Sequence, residues 1–398
     1  MTLPTDVDVL IVGAGPAGLA AATVLAPHHT VLVLDREATA GGIPRHCGHY
    51  PFGLREFRRL MKGPDYAAAL VARAQAAGAR IATGVNVTAL HPGPRVTVTS
   101  DAGLQEITAR RVLLATGVRE TSRAARLIGG EKPGGVVATG ALQGMVYLEG
   151  RRPFRRPVIL GTELVAFSAI MTCAHAGIRP VAMVEPNARP SARWPAALFP
   201  RLKGIPLHLS TTIAAIHGRD RVTGVTLATP TGPLDLDTDG VIVTGRFRPE
   251  ATLFSTSHLA RDPRTGGPVI DAMGRCSDPA YHAAGNLLRP VETAGWSWDE
   301  GRRIGQAIAD DLAGQPAPAQ RPITLTGDAL AWVVPQAAGP GGALDRLQLR
   351  VARPVSGRLS LRVGGAEVYA RAIHTLPDRR LTLPLPPGDG PVEVEVIE

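Results

Sequence analysis

The chain opens on a short apolar, β-branched run from Asp6 to Val12, passes through small residues from Gly15 to Ala26, and returns to an apolar run, Val31 to Leu34, that ends at Asp35. Short apolar runs bounded by glycine predict buried strands, and the small-residue stretch between them predicts a helix, so the opening reads as a β-α-β unit. Asp65 to Ala77 carries Ala, Leu and Val at helical spacing, with Pro64 at its start and Gly78 at its end. Short strands are predicted around Ile81, Val87, Val96 to Thr99 and Glu106 to Thr108, before a buried strand at Val112 to Ala115.

The opening pattern then repeats. Val158 to Leu160, the apolar segment Leu164 to Ala176 and Val181 to Val184 form a second strand-helix-strand unit, followed by strands at Val222 to Leu227 and Val241 to Thr244. Tyr281 to Ala284 reads as a strand and Asp299 to Leu312 as a closing helix. The proline-rich stretch Gly314 to Pro322 reads as a linker. Beyond it, Leu347 to Val351, Arg358 to Val363 and Arg380 to Leu385 alternate in polarity and predict a small all-β segment.

The first helix is entered through Gly13-Ala14-Gly15-Pro16-Ala17-Gly18, a GxGxxG set between a strand and a helix. In that setting the first glycine makes the tight turn. The second admits a pyrophosphate to the backbone amides, and the third lets helix and strand pack closely. Helix N-terminal amides stabilise the anion. Asp35 stands about 20 residues on, at the end of the second strand, where a carboxylate accepts from ribose hydroxyls and repels a 2′-phosphate.

Composition narrows the class. With 44% hydrophobic residues, 45 Gly and 35 Pro in 398 residues, the chain is a loop-rich α/β protein of two or three domains. Cys47, Cys173 and Cys276 stand far apart without a CxxC pair, so neither a disulfide framework nor a structural metal site is expected, and a reducing cytoplasm fits best. The apolar stretch Val7 to Ala26 lacks a basic leader and is broken by Gly13, Gly15, Pro16 and Gly18, which is unlike a signal peptide. No other run is long and apolar enough to predict a membrane span. The formal charge of +9 comes from scattered arginines, with Lys only at 62, 132 and 203. Without a basic run interleaved with aromatics, nucleic-acid binding is not expected, and the charge reads as a solvated surface or a docking face for an acidic partner.

Four elements taken together carry a resemblance: GAGPAGL at the start, the Gly41-Gly42 pair, Ala115-Thr116-Gly117 after a buried strand, and Ala284-Gly285-Asn286 before the last helix. As a set over residues 6 to 314 they resemble the flavoproteins with two dinucleotide-binding domains. The resemblance implies FAD at the first site. It also implies two Rossmann-type modules, the second inserted in the first, with a small C-terminal all-β domain. The expected divisions are 1–125 and 261–316 for the FAD-binding domain, 126–260 for the inserted NAD(P)-binding-like domain and 323–398 for the β domain. The cofactor contacts implied are Gly13, Gly15, Pro16, Ala17, Gly18, Asp35, Arg36, Gly41, Gly42, Val87, Ala115, Thr116, Gly117, Gly285, Asn286 and Trp296. The family usually ends the last element in Asp; Asn286 keeps the hydrogen-bonding capacity and changes the charge.

Within that group, GGIPRHCGH, ATGVRE, GTELVAFSA and AAGNLLRPVETAGW resemble the glycerol-operon flavoproteins, the A subunits of opine oxidases, hydrogen cyanide synthase flavoprotein subunits and the α subunits of hydroxyproline or proline dehydrogenases. This implies a hetero-oligomeric dehydrogenase or oxidase whose electrons come from an amine, amino acid, opine or polyol phosphate, or from a partner flavoprotein. An iron–sulfur subunit is among the partners implied, because three scattered cysteines cannot hold a cluster here. The alternatives are a stand-alone NAD(P)H-dependent flavin reductase and a non-catalytic flavoprotein scaffold.

The second module departs from a working nucleotide site. Gly161-Thr162-Glu163-Leu164-Val165-Ala166 keeps only the first glycine, and Glu163 sets bulk and like charge where a diphosphate would approach. Glu185 remains available for an NAD ribose, so NAD(P) binding stays open and a structural relic or docking surface is expected. Cys47 lies where disulfide reductases of the related family carry a cysteine pair, but the second cysteine is missing and no dithiol chemistry is available. Cys47 and His49 are therefore expected to line the flavin site, tuning it or relaying a proton. Trp296 and Trp298 open the last helix, whose N-terminus in that family faces the flavin O2 and N1 edge.

Overall fold

The computed structural model describes residues 3–192, 195 and 198–398. Its first sheet is built around Asp6–Val12, whose Val9, Leu10 and Ile11 are fully buried because both faces of the strand are covered. Arg80–Thr83, Val31–Asp35, Asp6–Val12, Gly103–Leu114 and Tyr281–Ala283 run parallel in that order. Asn86–His91 and Arg95–Ser100 add an antiparallel meander to the N-terminal half of Gly103–Leu114.

The two strands expected at Glu106 to Thr108 and Val112 to Ala115 are one continuous strand, Gly103–Leu114. Charged Arg110 and Arg111 interrupt the apolar pattern. Both side chains leave the sheet to meet Asp8 and Asp311, so the backbone continues past them.

Helix Pro16–Leu25 packs against the closing helix, Ala294–Leu312. The contact is backbone on backbone: a Cβ on Gly301 would stand 2.1 Å from Ala17 O, and one on Gly305 2.9 Å from Ala21 Cα. Residues four apart share a helix face, so this spacing makes one smooth groove. The closing helix starts five residues before the expected Asp299, because Thr293 is extended and nothing in Ala294-Gly295-Trp296-Ser297-Trp298 prevents winding.

Between Leu114 and Tyr281 the chain forms a second parallel sheet, Val136–Ala138, Gly240–Val243, Pro157–Leu160, Ala182–Val184 and Leu207–His208, with helix Leu164–His175 against it. A meander of Thr212–His217, Gly224–Thr229 and Gly232–Asp237 accompanies it. The paired segments Val118–Arg119 and Arg248–Pro249 carry the chain out and back.

The last 78 or so residues form two β-sheets over one core that includes Leu347, Leu349, Leu359, Leu361, Leu383 and Val394. The expected linker is shorter than its proline content predicts, since a strand already begins at Arg321. Strands Arg321–Thr326, Leu330–Val334, Ala366–Thr375 and Val392–Ile397 are additions to the sequence-based expectation; Val392–Ile397 alternates apolar and charged residues, whereas Ala366–Thr375 is exposed or half-buried over nearly all its length. No described helix is long and apolar enough to cross a membrane.

His282 lies in the strand Tyr281–Ala283 at 1% exposure, with Nδ1 lacking a partner, and burial pushes its pKa down to about 3. The unfolded chain takes up that proton near pH 6.5 and the folded chain does not, so stability falls as pH drops below about 6.5 and levels off near the folded value. His282→Gln is expected to lose about 2 kcal/mol less stability than the native chain between pH 7 and 5. Urea denaturation at the two pH values measures it, and equal losses would assign the acid sensitivity elsewhere.

Candidate functional site

The turn after the first strand shows what each glycine is for. Gly13 has φ +109, and a Cβ there would stand 2.4 Å from Ala115 O; one on Gly18 would stand 2.0 Å from Gly13 O. Both are glycine because neighbouring backbone fills the space. Gly15 differs: its φ of −85 suits any residue, and a Cβ there meets nothing within 4 Å. Protein packing does not account for glycine at 15, whereas a group approaching the amides at the start of helix Pro16–Leu25 does.

Other residues surround that opening. Gly42 backs onto Gly15, and Gly41 N donates to Ala14 O at 2.8 Å. Gly117, with φ +76, also faces open space. Thr116 donates its hydroxyl to Glu250 O at 2.8 Å, which ties the Ala115-Thr116-Gly117 turn to the returning strand. Gly285 approaches Ala17, and beside it Ser297 Oγ is buried without a hydrogen-bond partner. An open cradle over Gly15, next to an orphaned buried hydroxyl, fits a bound dinucleotide whose polar atoms complete the set.

Asp35 is 9% exposed and accepts from Ala14 N at 2.8 Å and Glu37 N at 2.9 Å. The carboxylate thus clamps the glycine turn to the second strand, and each oxygen retains one lone pair for a ribose hydroxyl. Arg36 points outward beside Glu37, and Val87 is buried in the core of the first domain. Asn286 is turned inward: its side-chain nitrogen donates to Glu292 O at 3.0 Å and its side-chain oxygen accepts from Glu292 N at 2.7 Å, closing the 286–292 loop. Trp296 has Arg55 and Arg380 at 4.0 and 3.9 Å from its ring centroid. Both guanidiniums compete with any other group for the ring, which is still 38% exposed.

The expected catalytic pair is also rearranged. Cys47 is buried, donates to Ile43 O at 3.4 Å and contacts Gln143 Oε1 at 3.6 Å, and burial pushes its thiol up to about 12. It is a protonated wall residue at neutral pH. His49 Nδ1 is engaged by Tyr50 O at 2.9 Å and its ring rests on Phe52. One residue before Cys47, His46 is 9% exposed, interacts with Gln143, and leaves Nδ1 unpartnered, with burial lowering its pKa. Glu120 lies nearby, accepting from Gly140 N at 2.8 Å and Gly245 N at 3.0 Å, and burial raises its carboxyl above the usual range. His46 is visible in the sequence only inside GGIPRHCGH, and no short motif marks Gln143 or Ser297, because their partners come from distant parts of the chain. Glu120 is visible in the sequence only as the last letter of ATGVRE.

In the second cleft, Glu163 folds back over its own turn. Its carboxylate stands 2.4 Å from where a Cβ on either Gly161 or Gly245 would be, and within 3.0 Å of Thr244 Oγ1. Arg126 binds the carbonyls of Thr244 and Gly245 alongside, and burial raises the Glu163 carboxyl. Glu185, expected to remain available for a ribose, is 2% exposed and is held by Thr162 Oγ1 and by the backbone and side-chain nitrogens of Asn187. A cavity of about 300 Å³ remains, lined by Arg126, Ile128, Glu163, Asn187 and Arg246 among others.

Comparison with known proteins agrees with this geometry. The family model of the pyridine nucleotide-disulphide oxidoreductases matches residues 7–305. The A subunit of opine oxidase from Rhizobium meliloti is 30% identical over 184 residues, 46% of this chain and 39% of that one. The alpha subunit of sarcosine oxidase from a Corynebacterium species is 29% identical over 370 residues, 83% of this chain and 36% of that one, so the chain spans well under half of either relative. The fold matches thioredoxin reductase of T. acidophilum with TM-score 0.66 at 23% identity, covering 78% of this chain and 100% of that one. It also matches L-proline dehydrogenase from P. horikoshii with TM-score 0.61 at 20% identity, covering 79% of this chain and 57% of that one. The chain belongs to the pyridine nucleotide-disulphide oxidoreductase family and is an FAD-dependent oxidoreductase.

Proposed function

We propose that this chain is the flavoprotein component of a multi-subunit dehydrogenase or oxidase that takes electrons from an amine, amino acid, opine or polyol phosphate, or from a partner flavoprotein, and passes them to a partner rather than exchanging them with NAD(P). The observation that carries the reading is the Glu163 carboxylate, which lies over the second glycine turn where a dinucleotide would place its diphosphate. Residues 126–260 are then a module inserted between the two parts of the FAD-binding domain that keeps its fold while Glu163 obstructs its dinucleotide cleft. The two curated relatives are each named as one subunit of an oxidase, which supports an assembly.

FAD, when bound, supplies a two-electron acceptor. The amides of Ala17 and Gly18 at the start of the first helix would hold its diphosphate, with Gly15 allowing the approach and Asp35 taking the ribose. Ser297 would donate its orphaned hydroxyl beside Gly285. The closing-helix N-terminus would favour negative charge placed against it. Neutral His46, with Nδ1 unpartnered, is suited to accept the proton a donor releases on oxidation. Cys47, with its thiol near 12, is not.

The test is an anaerobic donor screen of the FAD-loaded chain, alone and with co-expressed partner subunits, read at the flavin band near about 450 nm. Bleaching by an amine, amino acid, opine or polyol phosphate is expected. Absence of bleaching by every class, with partners present, contradicts the proposal.

A further inference from the structure

The C-terminal sandwich is fused to the first domain by a shared core. Its Trp332, Val334 and Leu344 are buried in the same cluster as the first sheet, Gln336 N donates to Ile270 O at 2.9 Å, and Leu344 N donates to Ala272 O at 2.9 Å. More pointedly, it reaches the segment that follows the strand Tyr281–Ala283. Arg350 and Arg380 hold the Glu292 carboxylate at 3.0 and 3.2 Å, and that side chain is 8% exposed. The Glu292 backbone is the partner of the Asn286 amide, so the sandwich grips the far end of the 286–292 loop. Further along, Glu300 is buried against Arg289 at 2.9 Å and accepts from Gly285 N at 2.9 Å, with Gln348 of the sandwich 3.4 Å from its other oxygen. Arg380 and Arg55 also both lie against the Trp296 ring, 3.9 and 4.0 Å from its centroid.

These contacts have one direction. Two carboxylates on the segment 285–300 are held by groups from a domain that the glycine turns do not need, and the segment includes Gly285 and the N-terminus of the closing helix. Arg350 and Arg380 both hold Glu292, which lies at the end of the loop from Gly285 and two residues before the closing helix begins. We propose that the C-terminal sandwich is a wall of the FAD site, with Arg350 and Arg380 as positioning residues that set how tightly the flavin binds and how readily it accepts electrons. This rests on FAD lying against Gly285 and the closing-helix N-terminus, as proposed above. Removing positive charge from that end should disfavour the reduced, more negative flavin, and loosening the loop should weaken binding.

The experiment compares the native chain with Arg380→Met, Arg380→Lys and the double variant R350M/R380M, measuring FAD dissociation by flavin fluorescence and the midpoint potential by dye equilibration. Arg380→Met is expected to weaken FAD binding at least tenfold and move the potential to a more negative value, and Arg380→Lys to recover the potential more fully than the affinity, since it keeps the charge and loses the planar stack. If the double variant fails to fold, Arg380→Met decides alone, because Arg350 still neutralises Glu292 in it. A native chain that takes up no FAD overturns the site assignment on which the inference rests. A native chain that binds FAD, with Arg380→Met matching it in affinity, spectrum and potential, overturns this inference and leaves that assignment standing.

Discussion

Gly15→Val is expected to weaken FAD binding by at least about a hundredfold, on the order of 3 kcal/mol, while the chain stays folded. Three glycines of one turn differ in what surrounds them. At Gly13 and Gly18 an added Cβ runs into backbone 2.4 and 2.0 Å away, so substitution there attacks the fold itself. At Gly15 the φ of −85 is ordinary and no protein atom lies within 4 Å of an added Cβ, so a valine has room until a ligand claims the same space. A branched side chain would then stand between the helix N-terminal amides and the diphosphate, displacing the anion from its donors. Flavin retained through gel filtration, together with a thermal melt by circular dichroism, separates the outcomes. A folded Gly15→Val that keeps its flavin would place the diphosphate elsewhere, and an unfolded one would mean that Gly15 serves the protein rather than the ligand.

Glu163→Gly is expected to open the second cleft, so that NADH binds at least tenfold more tightly than to the native chain. Two effects act together. The carboxylate occupies volume against Gly161 and Gly245, and, when ionised, it opposes a diphosphate at close range; two unit charges about 4 Å apart repel by about 4 kcal/mol at an effective dielectric near 20. Burial raises the Glu163 carboxyl, which trims the charge repulsion and leaves the steric one. Arg126 and Arg246, both on the lining of the cavity, would then face the phosphates. Calorimetric titration of both proteins with NADH checks this; an unchanged affinity would mean that Glu163 is not what closes the site.

Local pattern carries what is readable from the sequence. The β-α-β opening, its repeat near Val158 and the glycine turns all depend on residues within about 30 positions of one another, and the structure places them as read. Glu163 is legible too, because a missing glycine in a known turn has a direct steric meaning. Roles set by long-range contact are not. The contact of the Asn286 amide with Glu292, and the guanidiniums of residues 55 and 380 against the Trp296 ring, join parts of the chain that no local pattern connects. Cys47 and His49 draw attention by residue type. Cys47 is buried, His49 is engaged by a carbonyl, and beside them His46 holds an unpartnered nitrogen, an arrangement that residue type alone does not give.

Whether the second module exchanges electrons with a nicotinamide is decided by an anaerobic titration of the FAD-loaded native chain with NADH, followed at the flavin band near about 450 nm. The flavin is expected to stay oxidised with NADH in excess, since the Glu163 carboxylate lies against Gly161 and Gly245 in the second glycine turn. Stoichiometric bleaching by NADH would contradict this and make the second module a working reductase site.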